Sequence, residues 1–472
     1  MEETNQIVAL EGLAEVARAR EYPGKRPSLA SIRVSPGAYL AAASVLTFSS
    51  GLLLRSQEDL WALICLTGAW LLIPLLALSD RIAFDGVRLV RQGPLPFLLR
   101  VFSGRERQLR LADFERVDTH AVRTLRRGGR VRYRYRTQIS GRGGVFVFAS
   151  GGKNYRRMVE VLFSLIDEEK MDVRTRELRH YLIEPQTLNR EVAALNLASD
   201  DVLDGATANF KLKSERGDQP QSELTPADVA RATQLKLLGN KLRIGGRLRE
   251  AGEAFRRALL VLPKDGWLIY DFARLLRSLA SAQDDVRLLS RSRAALRLAE
   301  LRAGQDGRLF SSIGESYLEC GEIERAQRAF QKAIEFGKEK FRAHLGLAEV
   351  ALRTGKLAHV IHQYRDAAES SSEKALLSYS RREADYYALL NDDDEYLSSE
   401  LRRMNWLQQF VRIRRLAARS TNASILVALL APYVEPGVAG LAWALATSSL
   451  VGWVLSLFLG RLFAVRRTAP SE

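Results

Sequence analysis

The stretch GRLFSSIGESYLECGEIERAQRAFQKA, residues 307–333, decides the architecture of the middle of this 472-residue chain. Phe310, Ile313-Gly314 and Tyr317 fall on one helical stripe, and Ala326, Phe330 and Ala333 on a second. The same slots recur upstream, read from Ala232, as Leu235, Leu238-Gly239, Leu242, Ala251, Phe255, Ala258 and Pro263. They recur downstream, read from Phe341, as His344, Leu347-Ala348, Ala351, Val360, Tyr364 and Ala367. Gly314 and Ala348 are 34 residues apart, while Gly239 and Gly314 are 75 apart. The longer interval fits one intervening repeat enlarged by seven residues, over about 266–306. Small residues mark where two helices touch, and large ones fill the gaps between units.

This pattern resembles the tetratricopeptide repeat (TPR) family over about residues 229–373. The resemblance implies an all-α solenoid that binds extended peptides or partner proteins in a concave groove lined by the first helix of each repeat. Lys236 and Asn240 occupy slots that hold a partner's terminal carboxylate in clamp-type members, and Arg308 matches a further basic clamp slot. Those three are the candidate partner-binding residues. Asp271 departs from the clamp, because an acid there repels a carboxylate where the clamp has an amide. Residues 375–390 and 395–418, within 374–420, read as capping and connecting helices.

Outside the repeats the apolar residues are clumped. Residues 38–54 (AYLAAASVLTFSSGLLL) and 60–79 (LWALICLTGAWLLIPLLALS) carry no charge and are separated by Arg55-Ser-Gln-Glu-Asp59. About 20 apolar helical residues cross a bilayer, so 37–79 is expected to be a transmembrane helical hairpin. The chain opens Met-Glu-Glu with no basic segment beside an apolar run, so no cleaved signal is expected in 1–36. A short amphipathic helix is expected there, over about 5–20. A second apolar stretch, 423–460, is interrupted by Pro432-Tyr-Val-Glu-Pro-Gly437. It reads either as one span from Gly437 or as a hairpin of two short spans. Arg412, Arg414, Arg415 and Arg419 precede it, and Arg461, Arg466 and Arg467 follow it. Both flanks are cytoplasmic only if 421–461 is a hairpin, leaving 462–472 as a basic tail.

From Asp80 the period becomes that of strands. Segments 82–84, 87–91, 97–102, 107–111, 115–124, 130–137 and 144–148 alternate, with Asp85-Gly86 as a strong turn dipeptide. An amphipathic helix over 153–170 follows, with Tyr155, Met158, Val159, Leu162, Leu165 and Ile166 on one stripe. Seven strands capped by a helix, entered from a hairpin through Phe84-Asp85-Gly86, resemble membrane-anchored bacterial pleckstrin-homology-like (PH-like) domains. The resemblance covers about 37–170 and implies a small β-barrel or sandwich with a C-terminal helix over 80–170. Residues 101–150 hold twelve Arg against four acids. Alternation puts Arg132, Arg134 and Arg136 on one strand face, and Arg126, Arg127 and Arg130 lie in the adjoining turn. These six are candidate anionic-lipid ligands, at about 1 kcal/mol per basic residue near a membrane surface. The alternative role is a solvated face that discourages edge pairing. Residues 171–228 read as a helical segment, interrupted by Pro185, followed by a polar linker.

Charge and composition narrow the classes further. Lys and Arg exceed Asp and Glu by 71 to 55, and only two Cys and five His are present. No disulfide framework, metal site or cofactor is expected. His359-Val-Ile-His362 lacks the spacing of a zincin helix, Gly141-Arg-Gly-Gly144 lacks the Lys of a P-loop, and Asn391-Asp-Asp-Asp394 lacks the Gly of an EF-hand. No catalytic residue is singled out, and no nucleic-acid motif accompanies the charge. The expectation is a multi-domain membrane protein with two transmembrane hairpins, a PH-like domain and a TPR solenoid. Its termini and middle would face the cytoplasm of a bacterial inner membrane, where it would act as a non-enzymatic scaffold or adaptor for protein partners. Two other expectations stand beside it: a module sensing anionic lipid, or an accessory subunit of a membrane transporter or enzyme complex.

Overall fold

A computed structural model of the chain describes residues 28–34, 37–94, 96–97, 108–125, 131–142, 144–149, 153–197, 225–337, 340–430 and 435–464. The described residues fall into two compact units. The first comprises residues 28–32, 82–90 and 107–384; the second is drawn from 33–81, 91–106 and 385–472.

Mostly within the first unit, β1 (Ala30–Arg33), β2 (Arg81–Phe84), β3 (Arg88–Gln92) and β4 (Gln108–Arg110) form a four-stranded sheet in that order. The Asp85-Gly86 turn links β2 to β3, with Gly86 at φ 89° and the Asp85 carboxylate accepting from the Val87 and Arg88 amides. A three-stranded antiparallel sheet follows: β5 (Phe114–Leu125), β6 (Val131–Gly141) and β7 (Gly144–Ala149). Among the described residues there are seven strands, but they are not the seven expected. The expected strand over 97–102 has Phe97 in a helical turn and its remainder outside the described residues. The additional strand is β1, which precedes the first apolar helix; Leu29 N–H donates to the Phe84 carbonyl at 2.9 Å. A four-residue strand separated from its neighbour by the whole helix pair leaves no local signal of pairing. Helix α1 (Gly37–Arg55) and helix α2 (Asp59–Ser79, with a π-turn over Gly68–Leu72) are therefore inserted, in chain order, within the sheet.

Helix α3 (Lys153–Ser164) buries Tyr155, Met158, Val159, Leu162 and Phe163, with the Tyr155 ring 5.8 Å from that of Phe148 and its hydroxyl 3.0 Å from Thr137. It ends at Ser164, short of the expected limit, and a 3₁₀ turn over Glu168–Lys170 follows. Helices α4 (Val173–Tyr181) and α5 (Pro185–Ala194) come next, Pro185 standing at the first turn of α5, where its missing N–H costs nothing.

Eight helices then pair as antiparallel hairpins: α6 (Pro226–Gly245) with α7 (Leu248–Val261), α8 (Gly266–Gln283) with α9 (Val286–Leu301), α10 (Gly307–Glu319) with α11 (Ile323–Phe336), and α12 (Lys340–Arg353) with α13 (Leu357–Ser370). Thr225 and Asp228 close a capping box on α6. The seven extra residues of the second repeat lengthen its helices, which have 18 and 16 residues against 13 and 14 in the third. A Cβ on Gly239 would lie 2.9 Å from the Phe255 ring, and one on Gly314 would lie 2.7 Å from Phe330. Both rings are fully buried. Successive first helices, α6, α8, α10 and α12, pack on one another and form the inner face. Helix α14 (Lys374–Asp392) follows.

The second unit contains α1, α2, α15 (Asp394–Leu430) and α16 (Pro436–Phe463). Ser50 Oγ donates to the Ala62 carbonyl at 2.8 Å, which pairs α1 with α2. At their open end Asp80, fully buried, accepts from Tyr39 Oη at 2.5 Å and from Arg91 Nε at 3.0 Å. Only 11% of the apolar stretch of α2 and 17% of that of α16 is buried, and Leu60, Trp61, Leu63, Trp70 and Leu71 are all more than half exposed. The expected break between 395–418 and an apolar span beginning at Ala423 is absent: α15 is one 37-residue helix. Helix α16 returns along it, with Ser449 Oγ 2.9 Å from Ser420 Oγ and Arg403 donating to the Phe463 carbonyl at 2.8 Å. That register sets Arg419 beside the middle of the 24-residue Gly437–Gly460 stretch. The apolar end of α15 beyond Arg419 runs only about 17 Å, too short for a ~30 Å layer.

Two outcomes follow from this packing. Gly314→Val forces a branched side chain into the Phe330 ring and should cost about 1–3 kcal/mol, read as a lower thermal midpoint. Asp80→Ala leaves Arg91, a quarter exposed, without its carboxylate. It should cost roughly 3 kcal/mol, the low end for breaking a buried pair, and raise hydrogen exchange along β2 and β3.

Candidate functional site

The inner face of the solenoid is where charged residues of distant segments meet. Asn240, Arg274 and Glu315 each follow the small residue of their repeat, Gly239, Ala273 and Gly314, and so occupy one slot on α6, α8 and α10. Asn240 is fully buried; its amide donates to Asp271 Oδ2 at 2.8 Å and its carbonyl accepts from Arg243 at 3.1 Å. Burial pushes the Asp271 carboxyl up, with Lys236 and Asn240 pulling the other way. Lys236 Nζ lies 3.3 Å from Asp265 Oδ2, the side chain that caps α8. The structure thus gathers Lys236, Asn240 and Asp271, while Arg308 is exposed in the first turn of α10.

Helix α4 of the same chain lies against this face. Glu177 Oε1 accepts from Arg274 Nη1 at 2.6 Å and closely from Arg243 Nη2. Burial pushes the Glu177 carboxyl up, but Arg243 and Arg274 outweigh it and hold the group below the ordinary Glu range. The preceding residue, Arg176, donates to Glu315 Oε2 at 2.8 Å, and Arg342 of α12 donates to Glu315 Oε1 at 2.7 Å. Glu315 is likewise held below its ordinary range, these two guanidiniums outweighing its burial. First helices of all four repeats therefore contribute to two neighbouring charge groups, one centred on Glu177 and one holding Arg176.

The sheets contribute further contacts within this unit. Tyr135 Oη of β6 donates to the Ile244 carbonyl at 2.7 Å. Arg382 of α14 holds Glu115 bidentately at 3.0 and 2.7 Å, and Lys170 pairs with Glu373. Helix α5 and the residues after it add apolar contact, Leu188 and Leu197 belonging to the solenoid core. The repeat slots were visible in the sequence, and so was the residue following each small one. Glu177 was not, because its partners are 66 and 97 positions away.

The arginine row is displayed as well. Arg132, Arg134 and Arg136 are exposed on β6, and their cross-strand partners on β5 are Thr124, Val122 and His120. Arg126, Arg127 and Arg130 lie outside the described residues. Among the described residues no cluster of three or more His, Cys, Asp or Glu is placed to hold a metal.

No protein-family model and no curated protein sequence matches this chain. Solved structures similar to it include PilF of Pseudomonas aeruginosa, at 16% identity and TM-score 0.30, covering 51% of this chain and 95% of that one. The Cut9–Hcn1 hetero-tetramer of APC/C is similar at 12% identity and TM-score 0.29, with 65% of this chain and 52% of that chain covered. The chain thus spans about half the length of the second. The repeat architecture rests on the helix pairs themselves.

The pH response of the network has a definite sign. Glu177 and Glu315 have folded values below their unfolded ones, so their stabilisation is complete above about pH 4.3 and is lost as pH falls further. Asp271, raised, works in the opposite sense. Glu177→Gln should flatten the acid limb of a stability–pH curve below about pH 5 and lower the thermal midpoint at pH 7.

Proposed function

We propose that this protein is a membrane-anchored adaptor whose helical repeats recruit protein partners at the cytoplasmic face of a bacterial inner membrane. The observation that carries the reading is the inner face itself. Four stacked first helices present Asn240, Arg243, Arg274, Glu315 and Arg342 on one surface already engaged by helix α4, which lies outside the repeats in the same chain. A surface built this way recognises a charged helical or extended segment. Anchoring is supported by the outward-facing apolar side chains of α2 and α16, an arrangement that water disfavours and lipid accommodates. Because α15 is short of a full apolar span, α16 is the better-supported crossing of the C-terminal pair. A PH-like assignment for the two sheets and helix α3 is part of this proposal, as is the absence of catalytic chemistry.

Lys236 and Arg308 remain the partner-facing candidates of the original three. Asn240 is a positioning residue, orienting Asp271 and Arg243. Photocrosslinking in membranes, from residues introduced at 236 and 308, tests the reading. Capture of a defined partner set that Lys236→Glu/Arg308→Glu depletes is the expected result; an unchanged set removes this end of the groove from the proposal. Asn240→Ala should instead act on stability, by about 1–3 kcal/mol, since it strips hydrogen bonds from two buried charged groups.

A second reading is favoured by the exposed arginines of β6, whose cross-strand partners carry no acid. They would bind anionic headgroups, and the chain would report lipid composition to the solenoid. In nanodiscs, Arg132→Glu/Arg134→Glu/Arg136→Glu should cut labelling by a photoreactive anionic phospholipid by about 100-fold, at ~1 kcal/mol per site. Equal labelling would assign the row to solvation alone.

A further inference from the structure

Glu177 underfills the site in which it sits. One oxygen, Oε1, serves both Arg243 and Arg274, while the Nε of each guanidinium is buried without an acceptor among the described residues. Arg243 is 6% exposed and Arg274 7%. Each guanidinium offers five donors in a fixed fork suited to a whole carboxylate. The pair can therefore take two carboxylates, and α4 supplies one. The solenoid side is rich in guanidiniums: Arg243 and Arg274 face Glu177, Arg342 faces Glu315, and Asp271 is occupied by Asn240.

The attachment of α4 is divided in a way that allows it to leave. Asp172 and Thr175 tie it to β5, where Asp172 Oδ1 accepts from the Thr119 amide at 3.2 Å and the Thr175 hydroxyl donates to the Val117 carbonyl at 3.2 Å. Its side-chain links to the solenoid include the ion pairs of Arg176 and Glu177. Helix α5, by contrast, is buried in the solenoid core through Leu188. The joint between them, residues 182–184, is the pivot. Separating the α4 face exposes charged groups that water and a competing ligand can solvate.

We propose that α4 is a displaceable intramolecular ligand of the solenoid, and that its competitor is a helical peptide bearing two carboxylates one turn apart, which engages Arg243 and Arg274 together. The proposal rests on the adaptor reading, for which it names the partner chemistry and the regulation. In α4 itself the position one turn before Glu177 is Arg174, close enough to act on the Glu177 charge. A true partner would carry an acid there.

The test uses the full chain in detergent and three dye-labelled peptides spanning residues 171–183: the native sequence, one with Arg174→Glu, and one with Glu177→Lys. By anisotropy the Arg174→Glu peptide should bind most tightly and the Glu177→Lys peptide not at all. Glu177→Ala in the chain should tighten binding of the first by about tenfold or more, as the internal competitor weakens. Adding Arg243→Ala and Arg274→Ala should remove it. Hydrogen exchange on the wild-type chain gives a readout independent of any variant's folding. Saturating Arg174→Glu peptide should speed exchange of the 176–181 amides and slow that of α6 and α8. Binding that leaves α4 exchange unchanged, or no discrimination among the three peptides, overturns the proposal. If the peptide displaces α4 but membrane crosslinking yields no partner, the adaptor reading fails and the displaceable contact stands. Crosslinked partners with an immobile α4 give the reverse.

Discussion

One carboxylate held between two guanidiniums ties the inner face of the solenoid to a helix outside the repeats. Glu177 is nine-tenths buried, and its partners stand on the first helices of two successive repeats. Removing either side leaves an uncompensated charge away from water, a loss of roughly 3–5 kcal/mol. The neighbouring Arg176–Glu315–Arg342 group extends the same constraint to the third and fourth repeats. With both groups intact, the inner face is engaged by the chain's own helix.

The charged network also explains why the inner face is more than a packing surface. The core of the repeats is made by Phe255, Phe330, Tyr317 and the alanines and leucines around them, all away from solvent. That apolar burial supplies the bulk of the stability and needs no ion pair. Buried charges add little net stability compared with apolar residues of the same size, but they select one arrangement among several, because a mismatched charge is severely penalised. The Arg382–Glu115 and Lys170–Glu373 pairs act in the same sense at the α14 end.

Local periodicity carried much of the architecture. The helix pairs are legible because Gly239 and Gly314 must admit a phenylalanine ring, and because stripes spaced three and four residues apart can bury only as helices. Strands β5 to β7 are legible from alternation, down to Arg132, Arg134 and Arg136 sharing the exposed face. Strand β1 was not, since four residues, ASIR, carry too little pattern to show a pairing across an inserted helix pair. The C-terminal helices misled in a different way. Polar residues around 419–422 resemble a boundary, yet nothing there breaks a helix, and α15 continues through Arg419 into the apolar stretch.

The sequence by itself therefore determined the repeat architecture, the alternating strands and the apolar stretches, all of which depend on interactions among near neighbours. Tertiary structure alone decided that Asn240 turns inward to Asp271 and that the groove already holds Glu177. A guanidinium or carboxylate accepts any opposite charge that geometry delivers. No spacing rule connects residue 177 to residues 243 and 274, and only the folded chain brings them within hydrogen-bonding distance.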